Sequence, residues 1–283
     1  MPPSTSASSM RELFRRVIGT PQGSVGLALL IAVLLVVVFG PLLATHDPEA
    51  MSVINRYKPP GAAYILGTDH FGRDIFSRLL IGARTTVLMA LLATLLGTVA
   101  GAVIGTTSAY LGGWVDEAVM RTVDAVMAIP GLLLALLIVS TMGKSAFNAV
   151  IAIAIAGAPG MARITRSVAL AVRKQDYVSA AVARGEGAAY IILREMLPNV
   201  VAPVVVETTI RVAFAVMVFA TLSFLGLGAQ PPAPEWGLMI AEARRFMHLS
   251  PWMIVWPSLA IAFVAIAFNL FGDGLRDALN PKA

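Results

Sequence analysis

The chain has 283 residues, of which 58% are hydrophobic and only 13% are charged. Because a soluble domain carries about 25% charged residues, this composition excludes a water-soluble globular protein and indicates a surface that faces lipid. Cysteine is absent, which excludes disulfides, thiolate nucleophiles and cysteine-ligated metal sites. The formal net charge is +5, but a nucleic-acid-binding protein would gather its basic residues with aromatic residues in an exposed patch. We therefore expect a membrane lipid partner and no nucleic acid.

Long apolar stretches recur along the chain. A hydrocarbon layer roughly 30 Å thick requires about 20 apolar residues in a helix, and six stretches reach or approach this length. The runs are continuous, whereas a membrane β-barrel needs short alternating segments of about ten residues. The sequence therefore predicts an all-α integral membrane protein with six transmembrane helices. In chain order the predicted spans are residues 24–44, 85–108, 119–141, 146–162, 200–227 and 251–271.

The first apolar stretch follows a tail that carries Arg11, Arg15 and Arg16. A cleaved signal peptide has an apolar region of about 7 to 15 residues, which is shorter than this stretch, so we interpret residues 24–44 as an uncleaved first span. The basic residues hold the tail, residues 1–23, in the cytoplasm. Six alternating spans then predict that both termini are cytoplasmic.

The segment between the first two spans, residues 45–81, is expected to be an outer loop. Residues 74–81 fit a short interfacial helix that turns its arginines, Arg73 and Arg78, toward water; an ordinary loop is the alternative. The apolar residues that would face lipid are Ile75, Phe76 and Leu79.

Glycines recur every four residues in the second span, at Gly97, Gly101 and Gly105. Small residues at this spacing let another helix approach closely. We expect a helix-packing face here, and exposure of the three glycines to lipid is the alternative.

The polar stretch 163–199 reads as two short helices divided by Gly185 and Gly187. Asp176 is expected to cap the first helix and Pro198 to close the second. One face of the first helix carries Tyr177, Ala180 and Ala181. By spacing alone this face either seats in the groove of a partner or is part of a solvated connector.

The motif in this stretch resembles the EAA loop of type I ABC importer permeases. The matching residues are Asp176-Tyr177-Val178-Ser179-Ala180-Ala181, then Gly185, then Leu197-Pro198-Asn199. Ser179 stands where the family has a glutamate, so an ionic contact from that position is not expected. The resemblance implies that the first helix is a coupling helix seated on an ATP-hydrolysing subunit. The coupling residues it implies are Tyr177, Ser179, Ala180, Ala181, Gly185, Leu197 and Pro198.

Further strings are similar to the C-type permease of dipeptide and oligopeptide importers. They are Leu66-Gly67-Thr68-Asp69, Gly72-Arg73-Asp74, Ser77-Arg78, Gly82-Ala83-Arg84, Arg121-Thr122-Val123-Asp124, Ala162-Arg163, Ser223-Phe224-Leu225-Gly226-Leu227-Gly228, Pro231, Pro234-Glu235-Trp236-Gly237, Met239-Ile240, and Phe268-Asn269-Leu270-Phe271-Gly272-Asp273-Gly274-Leu275-Arg276-Asp277. The likeness covers nearly everything from Ser24 to Pro281.

This resemblance implies a type I ABC importer (MetI-like) permease fold. The permease domain would span residues 82–272 with its coupling loop at 163–199, and residues 273–283 would form a cytoplasmic tail after Gly272-Asp273-Gly274 ends the sixth helix. The implied partners are a second homologous permease, two ATPase subunits and an extracytoplasmic substrate-binding protein, in the bacterial cytoplasmic membrane. Peptides are the implied cargo, and nickel chelates or haem remain open.

Charged residues within the predicted spans are few. Glu207 and Arg211 lie four apart on one helix and can pair; near a bilayer centre each would cost about 2.5 to 3.5 kcal/mol, so both must face protein or water. Either they line the translocation path and meet the charged ends of a peptide, or the fifth helix starts late and both stay near the inner interface. A further charge network is expected at the entry of the third span, among Asp116, Glu117, Arg121 and Asp124.

Catalytic motifs are not supported. Gly143-Lys144-Ser145 has Ile138 where a phosphate-binding loop requires glycine. The histidines His46, His70 and His248 are isolated, without a zinc-protease pattern. We therefore expect a transport subunit that is not an enzyme and has no cofactor or metal. An ion-coupled carrier is the alternative. It would need intramembrane carboxylates or broken helices near the midplane, and outside Glu207 the spans offer none there.

Overall fold

The computed structural model describes residues 15–279, so the tail residues up to 14, with Arg11, and residues 280–283, with Lys282, lie outside the described part. The described residues form helices and loops, with no β-strand among them. A helical segment at residues 15–19 precedes the long helices. These are α1 Pro21–Leu43, α2 Ile75–Leu111, α3 Gly113–Met127, α4 Gly131–Met142, α5 Ala146–Arg173, α6 Asp176–Ala183, α7 Ala188–Phe224, α8 Trp236–Ala243 and α9 Trp252–Leu279.

Five of the described helices, α1, α2, α5, α7 and α9, are long and apolar enough to cross a membrane. The third predicted span is a bent pair instead: α3 and α4 meet at 87°. Pro130 occupies the N-cap of α4, and a proline disfavours helical backbone in the residue before it. The prediction of an all-α membrane protein with six spans is confirmed, but the single helix expected at residues 119–141 is wrong.

The predicted interfacial helix at residues 74–81 does not exist as a separate element. The side chain of Asp74 accepts a hydrogen bond from Ser77 N and caps α2, which then runs without a break to Leu111. Arg73, Ile75 and Arg78 are each only 1% exposed. The expectation that the two arginines face water is wrong, because acidic side chains pair with them inside the protein.

Helix α9 also continues beyond its expected end at Gly272-Asp273-Gly274 and reaches Leu279. These glycines mark places where other helices approach closely. A Cβ atom added at Gly272 would lie 2.8 Å from Ile210 Cγ1, and one added at Gly274 would overlap the backbone of Gly23. Gly272 and Gly274 therefore serve packing against α7 and α1, not termination.

The glycines of α2 form a packing face against α5, as predicted. A Cβ atom added at Gly97 would lie 2.9 Å from Ala154 O, and one added at Gly101 would lie 2.6 Å from Ala158 O. The third glycine, Gly105, meets the next turn of α5 in the same way. Helices α2 and α5 thus run side by side in the same direction. They carry the chain from one end of the bundle, which we call the cap end (residues 45–74 and 225–251), to the other, the loop end (residues 174–187).

Candidate functional site

Helix α6 lies at the loop end and is held to the bundle by one face. Val178 is 2% exposed and Ala181 is fully buried. The other members of this buried cluster are Ala109, Ala169, Ile191, Met196 and Val200. Tyr177, Ser179 and Ala180 are exposed, so the helix presents a polar and small-residue face away from the bundle. We expected Ala181 on the same face as Tyr177 and Ala180, but it packs in the buried cluster instead.

The ends of α6 differ in detail from the expectation. Gln175, not Asp176, occupies the N-cap and makes no side-chain capping hydrogen bond. After α6, Gly185 adopts a φ of +79°, a left-handed conformation that glycine reaches without the steric cost other residues meet. Gly185 is exposed and an added Cβ there would meet no atom within 4 Å.

The second short helix expected in this loop is the first part of α7. The chain is helical from Ala188 and passes through a π-helical turn, Ile191–Met196, directly into the rest of α7. Pro198 therefore does not close a helix. It follows the π turn, where the shifted hydrogen-bond pattern accommodates a residue that has no backbone N–H. Pro198 is exposed and Leu197 is half-buried.

Arginines of α5 tie the loop end to α2 and α3. Arg173 Nη1 donates to the carbonyl oxygen of Ala109 at 3.0 Å. Arg166 Nε donates to Asp116 Oδ1 at 2.6 Å, and the hydroxyl of Ser108 donates to the same carboxylate. These contacts join the last turns of α5 to the end of α2 and the start of α3.

The predicted charge network at α3 is present, but it also includes arginines of α5. Glu117 and Arg121 pair at 2.5 Å, as their spacing predicts. Asp124 pairs with Arg163 of α5, and Asp116 pairs with Arg166 of the same helix. Only the tertiary structure supplied these two partners, since both lie in a different helix.

Glu207 and Arg211 face the interior of the bundle. Arg211 Nε lies 2.9 Å from Glu207 Oε1, and each side chain is 28% exposed. Arg211 Nη1 also donates to Gly157 O of α5 at 3.3 Å. Helix α7 begins at Ala188, well before the pair.

Arg211 lines a partly open cavity of about 110 Å³ between α2, α4, α5 and α7. Most of the lining is apolar or glycine, and Glu207 is not part of it. The lining residues are Ala93, Thr94, Gly97, Thr98, Gly131, Ala135, Ile153, Ala156, Gly157, Met161, Arg211, Phe214, Ala215 and Val218. Sequence reasoning found the ion pair but not the cavity, since its walls come from four separate helices.

A buried ion cluster joins the cap end to α2. Arg73 Nε lies 2.5 Å from Asp69 Oδ2, and Arg73 Nη2 lies 2.6 Å from Glu242 Oε2. Arg78 Nη2 approaches the same oxygen of Glu242 at 3.7 Å. This cluster fastens α8 and the segment before α2 to each other. Sequence reasoning missed it, because Glu242 is far along the chain from the other three.

His70 lies beside this cluster, with its ring stacked on Phe246 at a centroid distance of 4.8 Å. Burial lowers the pKa of His70; Asp69 and Glu242 oppose this shift, and Arg73 and Arg78 reinforce it. The imidazole is therefore neutral over a wider pH range than an exposed histidine.

Glu235 is a further buried acid of the cap end. It is fully buried and caps α8 by accepting hydrogen bonds from Gly237 N at 3.0 Å and Leu238 N at 2.8 Å. Thr86 of α2 donates to the same carboxylate at 3.1 Å. Burial raises the pKa of Glu235, although these hydrogen bonds act in the opposite direction.

Gly143-Lys144-Ser145 forms the turn between α4 and α5. Gly143 has a φ of +95°, and the hydroxyl of Ser145 accepts from Asn148 N at 3.0 Å to cap α5. Both residues thus have structural roles. Within residues 15–279, no group of three or more His, Asp or Glu side chains is arranged to hold a metal ion.

Comparison with known proteins agrees with this geometry. Residues 97–283 match the family model described as binding-protein-dependent transport system inner membrane component, and residues 8–60 match the N-terminal TM domain of oligopeptide transport permease C. The fold resembles a chain of the methionine ABC transporter MetNI in an inward-facing conformation, with a TM-score of 0.57 and 18% identity over 72% of this chain and 97% of that chain.

Three relatives extend over nearly the whole chain. The dipeptide transport system permease protein DppC of Alkalihalophilus pseudofirmus is 39% identical, with 98% of this chain and 91% of the relative covered. The probable D,D-dipeptide transport system permease protein DdpC of Escherichia coli K12 is 40% identical over 94% and 89%. The glutathione transport system permease protein GsiD of Pectobacterium atrosepticum is 40% identical over 96% and 91%. The chain is thus a multi-pass inner-membrane protein with a MetI-like permease fold, and it belongs to the family of inner-membrane components of binding-protein-dependent transport systems.

Proposed function

We propose that this chain is the membrane-spanning permease subunit of an ATP-driven importer of dipeptides or oligopeptides. The observation that carries the proposal is the similarity at about 40% identity, over most of both chains, to permeases named for dipeptide, D,D-dipeptide and glutathione transport. Their common cargo is a short peptide. This favours peptides over the nickel chelates or haem that the sequence leaves open.

The proposed importer contains this chain, a second homologous permease, two ATPase subunits and an extracytoplasmic binding protein. ATP hydrolysis belongs to the ATPase subunits, and this chain transforms no substrate. In this arrangement both termini and the loop end are cytoplasmic. The cap end faces the binding protein.

Coupling to the ATPase subunits is assigned to α6. Its exposed residues Tyr177, Ser179 and Ala180 would contact the ATPase, while buried Ala181 anchors the helix in the bundle. The left-handed turn at Gly185 sets the direction in which the chain leaves α6. Leu197 and Pro198 directly follow the π turn within α7, where movement of the loop would enter the fifth span.

The route from α6 into the bundle is short. Arg173 contacts Ala109 at the end of α2, and Arg166 pairs with Asp116 at the start of α3. When ATP binding draws the two ATPase subunits together, α6 would move with them and shift α2 and α3. A rigid-body change of this kind exposes the path to one side of the membrane and then to the other.

The translocation path is assigned to the cavity that Arg211 lines. Glu207 sits behind Arg211 and balances its charge. The alternative of an ion-coupled carrier would require intramembrane carboxylates that bind the coupling ion, or broken helices, and the 87° bend between α3 and α4 meets only the second requirement. Glu207 is paired with Arg211, and the family of the chain supports the ATP-driven mechanism.

The coupling proposal is tested by adding bulk to the exposed face of α6. Ala180→Trp places a large ring where the ATPase would sit, and Ala63→Trp makes the same change at an exposed position of the cap end. We expect Ala180→Trp to lose co-purification with the ATPase subunits and ATP-driven peptide uptake. Ala63→Trp should retain co-purification. Full uptake and normal co-purification by Ala180→Trp would contradict the coupling assignment.

A further inference from the structure

The cavity beside Arg211 is partly open and has room for a small polar group. Its volume is about 110 Å³, against roughly 10 to 15 Å³ on the same measure for a single water. It therefore holds several waters or one end of a longer molecule. Which end depends on the polar groups that face it.

The side chain of Arg211 borders this space. Within the described residues, its hydrogen bonds use Nε, to Glu207, and Nη1, to Gly157 O. Nη2 packs against the bare backbone of Gly160, where an added Cβ would lie only 2.9 Å away. The missing side chain at Gly160 thus leaves room for the guanidinium between α5 and α7.

The compensating carboxylate lies on the other side of the arginine. Glu207 bonds Nε and is not among the residues that line the cavity. The cavity is therefore lined by the cationic member of the ion pair, Arg211, and not by the anionic member, Glu207. This polarity selects an anionic group over an ammonium group.

The bent pair of helices α3 and α4 adds a second source of positive potential. Gly131, the first residue of α4, lines the same cavity. Its N-cap, Pro130, makes no side-chain capping hydrogen bond, so the first backbone N–H groups of α4 are left without intrahelical partners. A helix N-terminus carries a partial positive charge, and the 87° bend places this one at the edge of the cavity, where Gly131 is exposed.

We propose that the Arg211 cavity is a carboxylate-binding site that receives the C-terminal carboxylate of a peptide during transport. The planar guanidinium is matched in shape to a carboxylate, which it can bind through two parallel hydrogen bonds. Thr98 lines the same wall and supplies a hydroxyl, hydrogen-bonded to Thr208 at 3.2 Å. The assignment rests on the proposed function, since it takes a peptide as the cargo.

The test compares a dipeptide with its C-terminal amide. The complete importer, with its binding protein, is reconstituted in vesicles, and uptake of alanyl-phenylalanine and of alanyl-phenylalanine amide is measured for each permease variant. The quantity compared is the ratio of acid uptake to amide uptake. Because every variant uses the same binding protein, the preference of that protein cancels when the ratios are divided by the wild-type ratio.

We expect Arg211→Gln to lower the acid-to-amide ratio by about tenfold or more, since hydrogen bonds to charged groups contribute about 1.5 to 3 kcal/mol. Arg211→Lys, which keeps the charge but loses the planar fork, should give an intermediate ratio. Arg84→Gln, at an exposed arginine of α2, is the matched control and should keep the wild-type ratio.

Stimulation of ATP hydrolysis by the binding protein verifies that each variant is assembled. If Arg211→Gln does not assemble, the paired variant Glu207→Gln/Arg211→Gln, which removes both charges, is judged by the same ratio. An assembled variant lacking Arg211 that retains the wild-type ratio overturns the carboxylate site alone. No uptake of either compound by the wild-type importer would overturn the peptide function, and the site with it.

Discussion

Substitution of Gly101 by alanine tests the packing of α2 on α5 most directly. An added Cβ would lie 2.6 Å from both Ala158 O and Met161 Cβ, whereas ordinary contacts begin at 3.4 Å. The difference, 3.4 minus 2.6, requires α5 to retreat by at least about 0.8 Å. Overpacking of this kind costs about 1 to 3 kcal/mol, and the better helix propensity of alanine returns about 0.5 to 1 kcal/mol.

The expected net destabilisation is therefore about 1 to 2 kcal/mol. Since about 1 kcal/mol shifts the melting temperature of a chain of roughly this length by about 2 to 4 °C, we expect Tm to fall by about 2 to 8 °C. The four tryptophans of the chain provide the signal for thermal unfolding in detergent. Gly157→Ala is the control, because a Cβ there meets nothing within 4 Å and the propensity gain should keep or raise Tm. If Gly101→Ala melts at or above the wild-type temperature, the close contact between the two helices is not what the geometry indicates.

Three further changes probe the cap and the loop. Arg73→Met leaves the buried carboxylates of Asp69 and Glu242 with only the more distant cation of Arg78 and should cost about 3 kcal/mol. Arg84→Met at an exposed site should change the free energy of unfolding by less than about 0.5 kcal/mol. Equal melting temperatures of the two variants would contradict the cluster. The pKa of His70 in the folded chain lies below 6.5. The unfolded chain therefore binds more protons as the pH falls through 6.5, and the free energy of unfolding declines in that window. Thermal unfolding between pH 7.5 and 5 should show a smaller decline of Tm for His70→Phe than for the wild type, and an equal decline would refute this. Gly185→Ala forces alanine to a φ of +79° at a cost of about 1 to 2 kcal/mol, which should be measurable as faster backbone hydrogen exchange around the turn. Gly187→Ala, at a φ of −71°, should leave the exchange rates unchanged. Equal exchange rates in the two variants would contradict a strained backbone at position 185.

Much of the architecture was predictable because a membrane imposes one dominant pattern. Length and hydropathy located the apolar segments, and the four-residue glycine spacing identified the packing face of α2. The EAA-like string pointed to the loop end and to α6. These features are local, so the order of residues along the chain is sufficient to reveal them.

Other predictions were wrong where a distant partner decides the local structure. Arg73 and Arg78 were predicted to face water from an interfacial helix, but both are buried beside Glu242, which lies near the other end of the chain. Gly272 and Gly274 looked like helix terminators, yet they are contact points for other helices. In each case the sequence singled out the right residues but did not indicate their partners, which lie far away along the chain.

By itself, the sequence determined that the chain is helical, lies in lipid and resembles a permease that an ATPase drives, because hydropathy and short motifs act over a few turns of helix. The tertiary structure alone decided that Ala181 anchors α6 while Ala180 is exposed, and that a bend at Pro130 brings the N-terminus of α4 to the cavity beside Arg211. These arrangements depend on which helices pack against one another. That choice is made by contacts between residues far apart in the chain.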